Sequence, residues 1–305
     1  MIPPQRMREL ERAGYRIIGR HSAVKVCHWT RKSLLGRGVC YKEIFYGKEL
    51  NLHSHRCLQI TPSLQFCDHR CIFCWRNTEL TKGAWEGEAD DPSFILDGAI
   101  KAWRNLLSGF GGNPDVDRKK FDESMNPSQC AISLAGEPTL YPLVGELIEE
   151  CHRRKMVTLL VTNGQHPEAL KGINPTQLYV SLVAPDEETY RKVCNPNDGH
   201  GWEKTMESIS ILRTARCRRA LRLTMVRGIN MKEPEKYAGL IELSGADFVE
   251  VKAYMFVGFS RKRLGLHNMP SHPEIKAFAG RIAEMTGYVL TDESEPSRAV
   301  LLKKE

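Results

Sequence analysis

Between residue 57 and about residue 255 the chain alternates short apolar runs with amphipathic ones, and this rhythm restricts the fold more than any other feature. "CLQITPSL" (57 to 64), "QCAISLAG" (129 to 136), "VTLLVTNG" (157 to 164), "QLYVSLVAP" (177 to 185), "RALRLTMVRG" (219 to 228) and "DFVEVKAYM" (247 to 255) read as strands closed by turn residues. The runs between them, at 93 to 107, 141 to 154, 202 to 215 and 233 to 245, space their apolar residues as helices do. Strands alternating with helices predict parallel strands joined by right-handed crossovers. Six such strands are too few for an eight-stranded barrel and enough for an open partial one; a doubly wound sheet carries the same pattern.

Residues 1 to 56 read irregularly, with a polar helix near 4 to 13 and then short segments punctuated by Gly36, Gly38 and Gly47. Beyond 256 a basic loop, a helix near 273 to 285 and apolar runs at 286 to 290 and 298 to 302 follow. The expected organisation is an N-terminal extension (1 to 56), a core (57 to 255) and a basic C-terminal extension (256 to 305).

In parallel α/β folds, ligands gather beyond the carboxyl ends of the strands. Polar features fall there one after another: Cys67, Cys71 and Cys74 after the first strand, Gly136-Glu137-Pro138 after the second and Thr162-Asn163-Gly164 after the third. Ser181 and Thr224 come late in the fourth and fifth. A disulfide would leave one of the three thiols over, and zinc would need a second CxxC pair; Cys130, Cys151, Cys194 and Cys217 are isolated in the sequence. Three thiolates in one tight loop suit a 4Fe–4S cube, leaving one iron open to a small molecule. For Gly136-Glu137-Pro138 taken alone, a helix-starting turn is the plainer reading.

Composition sets the setting. Hydrophobic residues are 41% and charged residues 27%, as in a soluble globular protein. No apolar run is long enough for a membrane span, and the polar N-terminus lacks a signal-peptide core, so a cytoplasmic protein with reduced or metal-bound thiols is expected. The net charge of +7 concentrates in clusters at 28 to 42, 213 to 222 and 260 to 265, which suit a polyanion such as RNA.

The triplet spacing, with Phe73 before the last cysteine, resembles the radical S-adenosylmethionine enzymes. That resemblance implies a partial (β/α)6 TIM-like barrel with N-terminal and C-terminal extensions. It implies that S-adenosylmethionine binds the open iron, with contacts from Gly136, Glu137, Pro138, Asn163 and Ser181. Upstream, Cys27, Cys40 and Cys57 are either unrelated buried thiols or a second three-cysteine cluster site. With "CYKE" (40 to 43), "QFCDHRCIFCWR" (65 to 76), "SLVAPDEETYRKVCNP" (181 to 196) and "VEVKAYMFVGFSRKRL" (249 to 264), they resemble the archaeal tRNA 4-demethylwyosine synthases of the wybutosine pathway.

That family implies two 4Fe–4S clusters, a tRNA-Phe substrate carrying N1-methylguanosine, and pyruvate as the donor of two carbons. Lys42 is the position the family suggests for a Schiff base with pyruvate; an open iron of the second cluster could chelate the keto acid instead. Arg261, Lys262 and Arg263, and the arginines between 213 and 222, would hold phosphates, while Trp75, Tyr254 and Phe256 would either stack on bases or pack in core or rim. Eukaryotic relatives carry an added flavodoxin-like domain for which this chain has no room, so a separate electron donor is expected, and a monomer. Two other readings remain: a glycyl-radical-activating enzyme, which leaves the N-terminal cysteines unexplained, and a non-catalytic zinc-stabilised RNA-binding protein.

Overall fold

The computed structural model describes residue 2 and residues 4 to 305, and its chain divides into two compact units. The first comprises residues up to 66 together with 85–161, the second residues 67–84 together with 162–305.

The first unit begins with helix α1 (Pro4–Arg12) and the hairpin β1 (Tyr15–Ile18) and β2 (Ser22–Lys25). Helices α2 (His28–Leu34) and α3 (Tyr41–Leu50) follow, then β3 (Cys57–Thr61), α4 (Pro92–Ser108), α5 (Arg118–Ser124), β4 (Gln129–Ile132), α6 (Val144–Arg153) and β5 (Val157–Thr162). β3, β4 and β5 are parallel neighbours, in register Cys57↔Gln129 and Gln129↔Val157, and β2 adds antiparallel to β3 through Ala23↔Thr61. Helix α4 starts where Asp91 accepts the Ser93 and Phe94 amides at 2.8 and 3.2 Å, with Pro92 in its first turn. It buries Ile95, Leu96, Ala99, Trp103 and Leu107, and α6 buries Val144, Leu147, Ile148 and Cys151. Each such large aliphatic side chain contributes roughly 1.5–3 kcal/mol of burial. The Trp103 indole still finds a partner, donating to the Ser124 carbonyl at 2.9 Å.

The second unit holds α7 (Pro167–Leu170), β6 (Gln177–Ser181), α8 (Glu187–Cys194), α9 (Gly201–Leu212), β7 (Arg218–Met225), α10 (Pro234–Ser244) and β8 (Phe248–Ala253). It ends with α11 (His272–Glu284), β9 (Tyr288–Ser294) and β10 (Ala299–Lys304). β6, β7 and β8 are parallel; β10 and then β9 extend the edge antiparallel, with an irregularity between Leu301 and Leu302. Val249, Val251, Leu221 and Leu223 are fully buried, as strands covered on both faces require.

The six strands and helices α4, α6, α9 and α10 fall where the apolar rhythm places them, while the short helices α5, α7 and α8 stand outside it. The N-terminal segment differs: the stretch read as irregular contains a hairpin and two helices. Its strands are four residues each, too short to show an alternation. Both helices start at cysteines, which carry no capping signature in a sequence. No helix among the described residues is long and apolar enough to cross a membrane.

Candidate active site

The cysteine triplet lies on a loop of the second unit without regular structure, so the loop is shaped by what clamps it. Arg70 and Ile72 donate their amides to the carbonyls of Cys194 (2.9 Å) and Val193 (2.9 Å) at the end of α8. The Cys67 amide donates to Lys82 O at 2.9 Å, and the Cys74 amide turns back to Cys71 O at 3.0 Å. From the C-terminal side, Arg263 donates to the carbonyls of Ile72 (3.1 Å) and Cys74, and Phe259 N donates to Trp75 O at 2.9 Å. All three cysteines are free thiols, Cys67 buried and Cys71 and Cys74 half-buried. Three reduced thiols on one rigidly tethered loop are a donor set that fits an iron–sulfur cube.

Asp68 organises the polar side of the same loop. Its carboxylate accepts from Asn163 Nδ2 at 2.6 Å and meets His166 Nε2 at 2.8 Å. Burial raises its pKa, but the His166 hydrogen bond, the His69 and His166 charges and the Asn163 bond together leave it below the usual carboxylate value. Asn163 is thereby held by the loop, and its own Oδ1 accepts the Gln165 amide at 3.0 Å. Ser181 closes β6 opposite Arg222 of β7 and is half-buried.

In the first unit, Gly136 sits at φ +71°, and a Cβ there would run into the carbonyl oxygens of Ser63 and Phe66, so only glycine fits. The next amide, Glu137 N, donates to Phe66 O at 2.8 Å. Glu137, only 2% exposed, accepts from Thr139 N (3.1 Å) and Thr139 Oγ1 (2.6 Å), capping a short 3-10 turn that opens at Pro138. Gly136-Glu137-Pro138 therefore is a helix-starting turn in local geometry, tied to the residue preceding Cys67.

The N-terminal cysteines converge within the first unit. Cys27 caps α2, its sulfur accepting the Thr30 amide at 3.3 Å and lying 3.2 Å from Thr30 Oγ1. Cys40 precedes the first turn of α3 without capping it through its sulfur, and Cys57 opens β3. Ser54, 2% exposed, ties them together: its Oγ accepts the Cys40 amide at 2.7 Å and donates to Glu43 at 2.5 Å. Its amide also donates to Glu43 (2.6 Å), and its carbonyl accepts from Thr30 Oγ1 at 2.9 Å. Burial pushes the Cys57 thiol well up; the Cys27 and Cys40 sulfurs push it further, while Lys42 and a hydrogen bond with Gln129 pull it back. Burial and the neighbouring Cys27 and Cys40 sulfurs disfavour the Cys57 thiolate, so positive charge is what this corner lacks. A metal centre supplies it, so this donor set also fits a cluster.

The basic residues divide. Arg261 and Lys262 are exposed, the first over the Phe256 ring (5.4 Å) and the second over Phe259 (5.1 Å). Arg263 is engaged with the triplet loop. In the 213 to 222 run, Arg219 pairs with Asp247 and Arg218 lies 4.6 Å over Phe248, so these two arginines serve the fold. Tyr254 is 1% exposed, its hydroxyl 3.0 Å from Ser260 Oγ, and belongs to the core; Trp75 is exposed at 37%. Cys194 and Cys130, isolated in the sequence, are not isolated in space: the free thiol of Cys130 neighbours that of Cys151, and the free thiol of Cys194 neighbours that of Cys71.

The chain matches the radical SAM superfamily over residues 61–241 and the wyosine base formation family over residues 243–304. It is 51% identical over 310 residues to the S-adenosyl-L-methionine-dependent tRNA 4-demethylwyosine synthase of Pyrococcus horikoshii, covering 99% of this chain and 90% of that protein. The protein of the same name from Methanocaldococcus jannaschii is 38% identical over 315 residues, covering 100% and 97%. Among solved structures, TYW1 with a lysine–pyruvate adduct bound superposes with a TM-score of 0.91 at 38% identity, over 100% of this chain and 97% of the other.

Proposed function

The chain belongs to the S-adenosyl-L-methionine-dependent tRNA 4-demethylwyosine synthases, enzymes with the radical SAM α/β fold, and on that premise we propose that it joins two carbons of pyruvate to N1-methylguanosine beside the anticodon of tRNA-Phe. The observation that carries the pyruvate half is Lys42, half-buried and, like the Cys27 and Cys40 sulfurs, within electrostatic reach of Cys57. A relative solved with a lysine–pyruvate adduct supports the same role for an amine.

Cys67, Cys71 and Cys74 would hold the 4Fe–4S cluster, and Gly136, Glu137, Pro138, Asn163 and Ser181 would contact S-adenosylmethionine. When bound, the two supply a reductive cleavage yielding a carbon radical that takes hydrogen from the N1-methyl group. Lys42 Nζ adds to the pyruvate carbonyl, loses water and holds the keto acid as an iminium, whose positive charge draws electron density from the carbon that is to be joined. Cys27, Cys40 and Cys57 would hold a second 4Fe–4S cluster, giving the carboxylate end of pyruvate an anchor. The pyruvate carboxylate carbon would leave as formate, with one electron from the separate donor and a proton from solvent, and the guanine exocyclic amine would displace Lys42 Nζ as the other two carbons close the tricyclic base. Exposed Arg261 and Lys262, each over an aromatic ring, would take the RNA backbone, and Arg263 would tie that surface to the cluster loop. We place the reaction in the cytoplasm, on a monomer served by a separate electron donor.

The test is direct. Reconstituted protein, S-adenosylmethionine, a reductant and tRNA-Phe transcript bearing N1-methylguanosine are incubated with pyruvate labelled at its second and third carbons. Nucleoside mass spectrometry should find 4-demethylwyosine carrying both labels. Turnover of S-adenosylmethionine with an unchanged nucleoside would reject the assignment.

A further inference from the structure

Cys71 has a second set of partners besides the triplet. One donor atom each from His69, Cys71 and Cys194 lies within 4.8 Å of the other two. The grouping is built: Cys194 is 1% exposed and His69 3% exposed. The amides on either side of Cys71, those of Arg70 and Ile72, are both bonded to the end of α8 that carries Cys194. His69 Nε2 lies 2.7 Å from the Tyr190 hydroxyl, which fixes the ring beside Cys71 and Cys194.

We propose that His69, Cys71 and Cys194 bind a single thiophilic divalent cation of the zinc or ferrous class in the chain that lacks its cluster. Tetrahedral metal–sulfur and metal–nitrogen bonds of about 2.3 and 2.0 Å place donor atoms roughly 3.5–3.8 Å apart, so the observed spread needs only a small contraction. Two thiolates, a neutral imidazole and the dication sum to zero charge, which suits a buried position, and binding releases the two thiol protons. The half-buried side at Cys71 leaves the fourth position to water. Cys71 cannot serve this ion and the cube together, so the ion and the cluster exclude each other. The site is thus a holding position for the cluster loop and an entry point for metal competition.

The probe is cobalt(II), titrated anaerobically into the cluster-free full chain with Cys27, Cys40, Cys57, Cys67 and Cys74 replaced by alanine. One equivalent should bind with tetrahedral ligand-field bands and a thiolate charge-transfer band. Adding Cys194→Ala should abolish that band and weaken binding by at least about 100-fold. A natively folded five-fold variant without the band, or a band indifferent to Cys194→Ala, overturns the proposal. If the five-fold variant fails to fold, the otherwise unaltered chain decides: one equivalent of zinc should slow cluster reconstitution several-fold, and Cys194→Ala alone should remove that slowing. Equal slowing in both proteins overturns it. The competition rests on Cys71 as a cluster ligand; the cobalt titration does not, so the two ideas fail separately.

Discussion

Lys42, in the first turn of α3, would ordinarily be a solvated charge; here it is half-buried and partly offsets the upward push that burial gives the Cys57 thiol. Lys42→Ala should therefore keep full iron content and uncoupled S-adenosylmethionine cleavage while losing the nucleoside product. Borohydride should trap a pyruvate adduct on the parent protein and none on the variant. Normal product from the variant would leave pyruvate handling to the metal. Ser54 is a positioning residue, because it bonds the Cys40 amide, the Thr30 hydroxyl and Glu43 at once. Ser54→Ala leaves the half-buried Glu43 carboxylate and Cys40 amide each one hydrogen bond short, at a cost of about 0.5–1.5 kcal/mol. It should lower the iron bound by Cys27, Cys40 and Cys57 while sparing the triplet; unchanged iron would show the network to be structural only. Gly136→Ala meets both a left-handed backbone and two carbonyl oxygens, so a loss of about 1–3 kcal/mol is expected in thermal unfolding.

Among the elements, α11 shows how local electrostatics set pH dependence. Ser271 and Glu274 form a reciprocal capping box, and Arg227 donates to the Glu274 carboxylate from the loop after β7. The Arg227 hydrogen bond, then those from Ser271, lower the Glu274 pKa from 4.5 to about 2. A carboxylate depressed on folding contributes stability above its unfolded value of 4.5 and loses it as pH falls toward 2. Glu274→Gln should flatten the stability profile across that window and leave it parallel to the parent near neutrality. The helix near 273 to 285 was legible in the sequence, as were the six strands and helices α4, α6, α9 and α10, because each carries enough apolar residues to show its period. The hairpin of β1 and β2 and helices α2 and α3 were not. Four-residue strands have no measurable period, α3 is only weakly amphipathic, and a cysteine cap looks like any other cysteine.

For the whole molecule, the sequence nominates candidate residues without showing what each touches. The triplet and the Gly136 turn were visible from spacing, whereas the Asn163–Asp68 bond spans 95 positions and the Cys71–Cys194 contact joins residues 123 positions apart. The contacts of Arg263 with the Ile72 and Cys74 carbonyls likewise join residues far apart in the chain. The account as a whole rests on two separate three-thiol centres in one enzyme chain. The measurement that tests it most directly is iron and acid-labile sulfide per chain after anaerobic reconstitution. It compares the parent protein, a Cys67/Cys71/Cys74 triple alanine and a Cys27/Cys40/Cys57 triple alanine. The account predicts about eight irons in the parent and about four in each variant, with S-adenosylmethionine cleavage surviving only in the second. About four irons in the parent, unchanged when Cys27, Cys40 and Cys57 are removed, would contradict it.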